Sequence, residues 1–148
     1  MGQKEKQVLA SLIASLLIIV FYSLYVYNRY IEADPGLLNN YRFWGKSFLI
    51  LIPLAIVVQI VIHILFAIIN KVVTNEDLDG REDERDKLIE LKSLRVSYWV
   101  FIAGFTLAMG SMALGLQPWV MFVSYLASGF IAEIASGTVK IFYYRKGI

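Results

Sequence analysis

Three long stretches of this chain carry no Asp, Glu, Lys or Arg, and they constrain the fold more than any other feature. They lie between Lys6 and Arg29, between Lys46 and Lys71, and between Arg95 and Glu133. A helix that crosses the hydrocarbon core of a bilayer needs about 20 apolar residues at roughly 1.5 Å each. The first two stretches each fit one crossing. The third would be roughly 55 Å long as a helix, which is too long for a single crossing.

The third stretch contains its own break, because Gly115 is followed three residues later by Pro118. Gly commonly ends helices, and Pro is favoured in their first turn. The sequence therefore predicts four spans. They cover about 7–30, 46–70, 96–116 and 118–142, with a polar loop at 71–95 between the second and third.

A soluble helical bundle would show a polar face on each helix, and these stretches have none. We therefore expect an all-α integral membrane protein. Residues 1–148 form one transmembrane domain, an antiparallel up-down four-helix bundle in which spans three and four are a tight hairpin.

The basic residues indicate the orientation of this bundle. Four spans place the first residues, the 71–95 loop and the last residues on one face, and most of the Lys and Arg residues lie there. The other face has only Arg29, Arg42 and Lys46. Because Lys and Arg are retained on the cytoplasmic side, we expect a multi-pass protein of the inner, or cytoplasmic, membrane with both termini in the cytoplasm.

Small residues recur on one side of the third and fourth spans. Small side chains let membrane helices approach closely, so these stripes predict packing of span three on span four. A homodimer interface is the alternative. The residues are Gly104, Ala108, Ser111 and Gly115 on span three, and Ser128, Gly129, Ala132 and Ser136 on span four.

The most informative polar residue is Glu133, an acid in the middle of an apolar run. Ionisable residues in membrane spans are costly and usually face a partner inside the bundle. Counting along the helices puts His63 of span two at the same depth, with Gln59 one turn away on the same face. We therefore expect an intramembrane polar cluster of Glu133, His63 and Gln59. It would act as a structural link or as a site that holds a proton near neutral pH.

The loop contains a predicted helix start. Asp83, with Asp86 three residues later, is typical of a capped helix N-terminus, and no Gly or Pro follows until Gly104. The helix of span three should therefore begin near residue 83 and extend into the cytoplasm.

The same loop loosely matches the spacing of a calcium-binding loop. A solvated, capped segment explains the acidic residues better, because Asp86 stands where such loops have Glu. The weak candidate ligands are Asn75, Asp77, Asp79, Asp83 and Asp86.

The segment "DERDKLIELKS" (83–93) resembles a DERD-x-x-I-E-type signature of uncharacterised small prokaryotic four-span membrane proteins. Some of these are encoded beside helix-turn-helix regulators. The resemblance covers about a dozen residues and implies no catalytic residues. It implies a regulatory or sensing role in which the loop contacts a soluble partner. The residues expected on that surface are Glu82, Asp83, Glu84, Arg85 and Asp86.

No catalytic or cofactor motif is present in the sequence. It lacks a P-loop, H-E-x-x-H, G-x-S-x-G and a Gly-rich dinucleotide loop, and it has no Cys. The basic residues flank spans rather than forming one stripe, so no direct nucleic-acid binding is expected.

We therefore expect a small non-enzymatic membrane protein without a cofactor or metal, acting as a sensor, regulator or accessory subunit through its charged loop. Its partners would be the lipid bilayer, a soluble cytoplasmic protein and further copies of the same chain in a homo-oligomer. The alternative is an oligomeric transporter or channel with Glu133 and His63 on a proton or ion path.

Overall fold

The computed structural model describes residues 2–74 and 83–147, and in this part of the chain all regular structure is helical. Helix α1 spans Gln3–Val26 and continues into a π-helical turn at Tyr27–Ile31. A 3₁₀ turn at Pro35–Asn39 leads to α2, and the two remaining helices follow the undescribed segment 75–82. Their bounds are Tyr41–Thr74 for α2, Glu84–Ala113 for α3 and Pro118–Lys146 for α4.

Each of the four helices is long and apolar enough to cross a membrane. Helices α2, α3 and α4 are longer than the predicted spans, because a helix need not end where the hydrocarbon does. Helix α2, for example, has 34 residues. At 1.5 Å per residue it is about 50 Å long, against a hydrocarbon core of about 30 Å.

The predicted break between the third and fourth helices is confirmed. The amide of Leu116 donates to the Ser111 carbonyl and that of Gly115 to the Met112 carbonyl, which is a Schellman C-cap. Gly115 has a φ of 73°, a left-handed conformation that favours glycine. Pro118 then occupies the first turn of α4, where its missing amide hydrogen costs nothing.

The predicted start of α3 is also confirmed. The Asp83 carboxylate accepts from the backbone amide of Arg85, and the Asp86 carboxylate accepts from that of Asp83. This reciprocal capping box satisfies amide groups that an uncapped first turn would leave without acceptors.

Helices α3 and α4 form the most extensive helix pair among the described residues. At its centre Gly104 lies against Ser128, and a Cβ built on Gly104 would collide with the Ser128 Cβ. Ala108, Ser111 and Ala132 are buried along the same pair. The exposed Gly115 serves the turn instead, and Gly129 has room for a Cβ.

Helix α1 contacts both α2 and α4, whereas α2 and α4 touch each other little. The approach to α4 is close at Gly137, where an added Cβ would meet the Leu12 side chain at 2.5 Å. Near the starts of α2 and α4, aromatic rings bridge the two helices. Trp44 stacks on Phe122 with ring centroids 5.3 Å apart. The polar groups of α2 and α4 are therefore brought together mainly through α1.

Replacing Gly104 by Ala should destabilise the protein by about 1–3 kcal/mol, because the added methyl group collides with Ser128 at its Cβ. The matched control is Gly110→Ala on the same helix, where an added Cβ meets nothing within 4 Å. Unfolding of both variants in mixed detergent micelles, followed by circular dichroism, measures the difference. Equal stability of the two variants would contradict close packing at Gly104.

Candidate functional site

The carboxylate of Glu133 on α4 is hydrogen-bonded to a serine of α1. The Ser15 hydroxyl donates to Glu133 Oε1, and Ser15 itself is buried. Among the described residues no basic side chain forms an ion pair with Glu133. The partner of this acid in the described structure is therefore a neutral hydroxyl.

The Ser15 hydroxyl is also the acceptor of a second bond, which comes from α2. Gln59 Nε2 donates to Ser15 Oγ over 2.6 Å and to the Ser11 carbonyl over 3.3 Å. The Ser11 hydroxyl in turn donates to Gln59 Oε1 over 3.0 Å. Residues Ser11, Gln59, Ser15 and Glu133 thus form one hydrogen-bonded chain, which we call the Ser15 chain.

Apart from the bond from Gln59 to the Ser11 carbonyl, the donors of the Ser15 chain point toward Glu133. A carboxylate can only accept hydrogen bonds, so the acid is the natural end of such a chain. Each bond polarises the next in a medium of low dielectric constant, which strengthens the series. The chain therefore provides hydrogen-bonding support for an ionised group that hydrocarbon alone would not supply.

His63 lies one turn along α2 from Gln59. Its Nδ1 is 2.8 Å from the Gln59 carbonyl oxygen, which can only accept, so the hydrogen of the ring lies on Nδ1. In a neutral ring Nε2 is then an acceptor. His63 and Glu133 line the same cavity, and no ion pair joins them in the described part of the chain. That they share a proton stays a prediction.

This polar cavity has a volume of about 450 Å³ and connects Glu133 with the charged end of the helices. The residues that line it come from all four helices. Glu5 of α1 lies at this charged end and is ten residues from Ser15. The Ser15 chain is therefore roughly 15 Å along the helix from the charged end. The lining residues that matter here are Lys4, Ser11, His63, Asp86, Glu133 and Lys140.

Ion pairs tie three helices together at the charged end. Lys4 of α1 pairs with Asp86 of α3. Lys140 of α4 pairs with Glu90 of α3 over 3.2 Å. The third pair joins α1 to α4.

In that pair, Arg145 Nε lies 3.3 Å from Glu5 Oε2, and Glu5 is only 8% exposed. Arg85 adds a bond from its guanidinium to the Tyr144 carbonyl over 3.3 Å. The starts of α1 and α3 and the end of α4 therefore meet at one end, which we call the clamped end.

The structure gives the predicted loop residues different roles. Asp83 and Asp86 cap α3, and Asp86 also pairs with Lys4. Glu84 is exposed. Glu82 lies outside the described residues, as do the calcium candidates Asn75, Asp77 and Asp79. Residues 2–74 and 83–147 contain no group of three or more His, Cys, Asp or Glu side chains that could hold a metal.

Sequence reasoning missed the part that α1 plays in the site. Gln7, Ser11 and Ser15 recur every four residues, which places them on one face of the helix. Such a stripe in an otherwise apolar span is a signal for polar contacts with neighbouring helices. Gly137, where α1 meets α4, was missed as well.

No family model, curated protein or solved structure matches this chain. The resemblance of residues 83–93 to a membrane-protein signature therefore stays a prediction. What the site does has to be argued from its own geometry.

Replacing Ser15 by Ala should destabilise the protein by about 1–2 kcal/mol, because it removes the donor to Glu133 and the acceptor for Gln59. Thr138→Ala is the matched control, since that exposed hydroxyl bonds only to the Ile134 carbonyl of its own helix. Chemical unfolding in mixed micelles reports both values. A Ser15 variant as stable as the Thr138 variant would show that the Ser15 chain does not link the helices.

Proposed function

We propose that the protein is a multi-pass protein of the cytoplasmic membrane, in which the four helices form an antiparallel up-down bundle. Support comes from the length and apolar character of each helix and from the contacts between them. Glu90 of α3 pairs with Lys140 of α4, and Gly104 of α3 lies against Ser128 of α4. Residue numbers thus rise along α3 as they fall along α4, as expected for antiparallel helices. With the short 114–117 connection, this supports a tight hairpin.

The clamped end supports the orientation. It collects the starts of α1 and α3, the end of α4 and their basic residues. An excess of Lys and Arg favours the cytoplasmic side. We therefore place the clamped end, and the 71–95 loop that leads into α3, in the cytoplasm.

Within that placement, the function best supported is that of a non-enzymatic sensor, regulator or accessory subunit. The observation that carries it is the polar cavity, whose walls include both the ion-paired residues Lys4 and Asp86 and the intramembrane acid Glu133. Because Glu133 and this ion pair line the same polar cavity, a change of charge at Glu133 would change the electrostatic potential at the clamped end. A soluble partner bound there would respond to such a change.

The second candidate is an oligomeric transporter or channel that moves protons or ions past Glu133. It is favoured by the same cavity, because water and ions have a polar route from the clamped end to Glu133 and His63. One chain has few polar residues on the other side of Glu133, so a pathway through the membrane needs a second copy.

The partner surface is testable at Glu84 and Lys87, which are exposed on the first turns of α3. We expect the double variant Glu84→Lys, Lys87→Glu to lower crosslinking to a cytoplasmic protein at least about tenfold, because like charges then face each other. The measurement is photocrosslinking from residue 88 in native membranes.

The control is Glu32→Lys with Arg42→Glu, two exposed residues far from the clamped end. Asp83 and Asp86 are left unchanged because they cap α3. Crosslinks only to a second copy of this chain would contradict the partner surface and favour an oligomer.

The transport function predicts that proteoliposomes containing the protein acidify under a proton gradient. The variant Glu133→Gln should reduce that rate to the level of empty liposomes, because an amide cannot take up and release a proton as a carboxyl group can. A pH-sensitive dye trapped inside the vesicles measures the rate, with Glu32→Gln as the matched variant. No acidification above empty liposomes, with the protein correctly inserted, would rule transport of protons out.

A further inference from the structure

Glu133 lies where three cavities meet. The polar cavity is one, and a second of about 390 Å³ lies along α3 and α4. The third, of about 320 Å³, lies on the side of Ser15 away from the clamped end and is largely apolar. Its walls come from all four helices.

Four aromatic rings line this third cavity, which we call the aromatic cavity. Phe48 comes from α2, Phe101 from α3, and Tyr125 and Phe130 from α4. The Tyr125 ring meets Phe48 at 6.0 Å and Phe101 at 5.7 Å, in both cases close to edge-on. A cavity with aromatic walls and one acid at its edge is a specific combination.

That combination selects the class of ligand. Aromatic faces are electron-rich and attract cations, and desolvation strengthens the attraction. An acid inside a membrane favours a positive charge close by, and Glu133 has no basic partner among the described residues. We propose that the aromatic cavity binds a small organic cation with an apolar body, its charge beside Glu133 and its body among the aromatic rings.

Other ligand classes fit the cavity less well. A metal cation takes several oxygen ligands, and the described residues offer no cluster of three acidic or His side chains. A neutral apolar molecule gains no electrostatic attraction from the Glu133 carboxylate, and an anion is repelled by it. A quaternary ammonium group makes no hydrogen bonds, so it can approach Glu133 without displacing the Ser15 hydroxyl.

The size of the cavity limits the ligand. About 320 Å³ is at the small end of the range for ligand pockets, which suits a benzylammonium-sized molecule. The polar cavity gives such a cation a route from the clamped end to Glu133. The inference rests on the proposed membrane function, since it names what the sensor would detect or the transporter would carry.

The test is equilibrium dialysis of radiolabelled benzyltrimethylammonium against the full chain in a non-ionic detergent. Saturable binding is expected. Neopentylbenzene, which has the same shape without the charge, should compete at least about tenfold more weakly, because it gains nothing from Glu133 or from cation–π attraction. Equal competition by the neutral molecule would overturn the proposal.

Variants locate the site. Glu133→Gln and Phe101→Leu should each weaken binding by about tenfold. The matched controls Glu32→Gln and Phe142→Leu, both at exposed positions away from the cavity, should change it less than about twofold. Circular dichroism and gel filtration confirm that each variant is folded. Unchanged binding in a folded Phe101→Leu protein would overturn the proposal even if Glu133→Gln failed to fold.

The outcome is separable from that of the proposed function. If the cation does not bind while crosslinking to a cytoplasmic partner or proton flux is observed, the ligand class alone is wrong. If the cation binds without any partner or flux, the ligand class holds and the proposed function fails.

Discussion

One hydroxyl group, that of Ser15, joins three of the four helices. It donates to Glu133 of α4 and accepts from Gln59 of α2, while its own backbone belongs to α1. Apart from the aromatic contacts near their starts, α2 and α4 have little contact with each other. Polar bonds between membrane helices contribute only about 0.6–2 kcal/mol each, so their main effect is to fix how the helices are registered. The cavities on either side of Glu133 depend on that register.

The four helices, the start of α3 and the break between α3 and α4 could be predicted from sequence because their causes are local. The absence of charge defines the apolar helices, and the capping residues Asp83 and Asp86 lie within one turn of each other. The turn after α3 needs a residue at positive φ, which Gly115 provides, and Pro118 fits the next helix start. None of these features depends on which helix is the neighbour of which.

The neighbours themselves could not be predicted in the same way. Counting residues gives the depth of a side chain in a membrane but not the helix it faces. The prediction that Glu133 and His63 meet therefore rested on depth alone. The structure places α1 beside both α2 and α4, and the Glu133 carboxylate accepts its hydrogen bond from Ser15 of α1. Close approaches such as Leu12 on Gly137 decide this order, and they arise only when two specific surfaces meet.

The direction of the Ser15 chain explains how the acid of α4 can affect α1. A serine hydroxyl has one hydrogen, so while Ser15 donates to Glu133 it can only accept from Gln59. If Glu133 takes up a proton, its carboxyl group gains a donor, which can reverse the bond to Ser15 and leave the Ser15 hydrogen to another acceptor. Ser15 can go on accepting from Gln59 Nε2, because a hydroxyl oxygen has two acceptor lone pairs. A cation that keeps Glu133 ionised stabilises the present arrangement instead. The two states of the acid therefore favour different directions of the hydrogen bond between α1 and α4, and such a difference is what a ligand needs in order to shift an equilibrium.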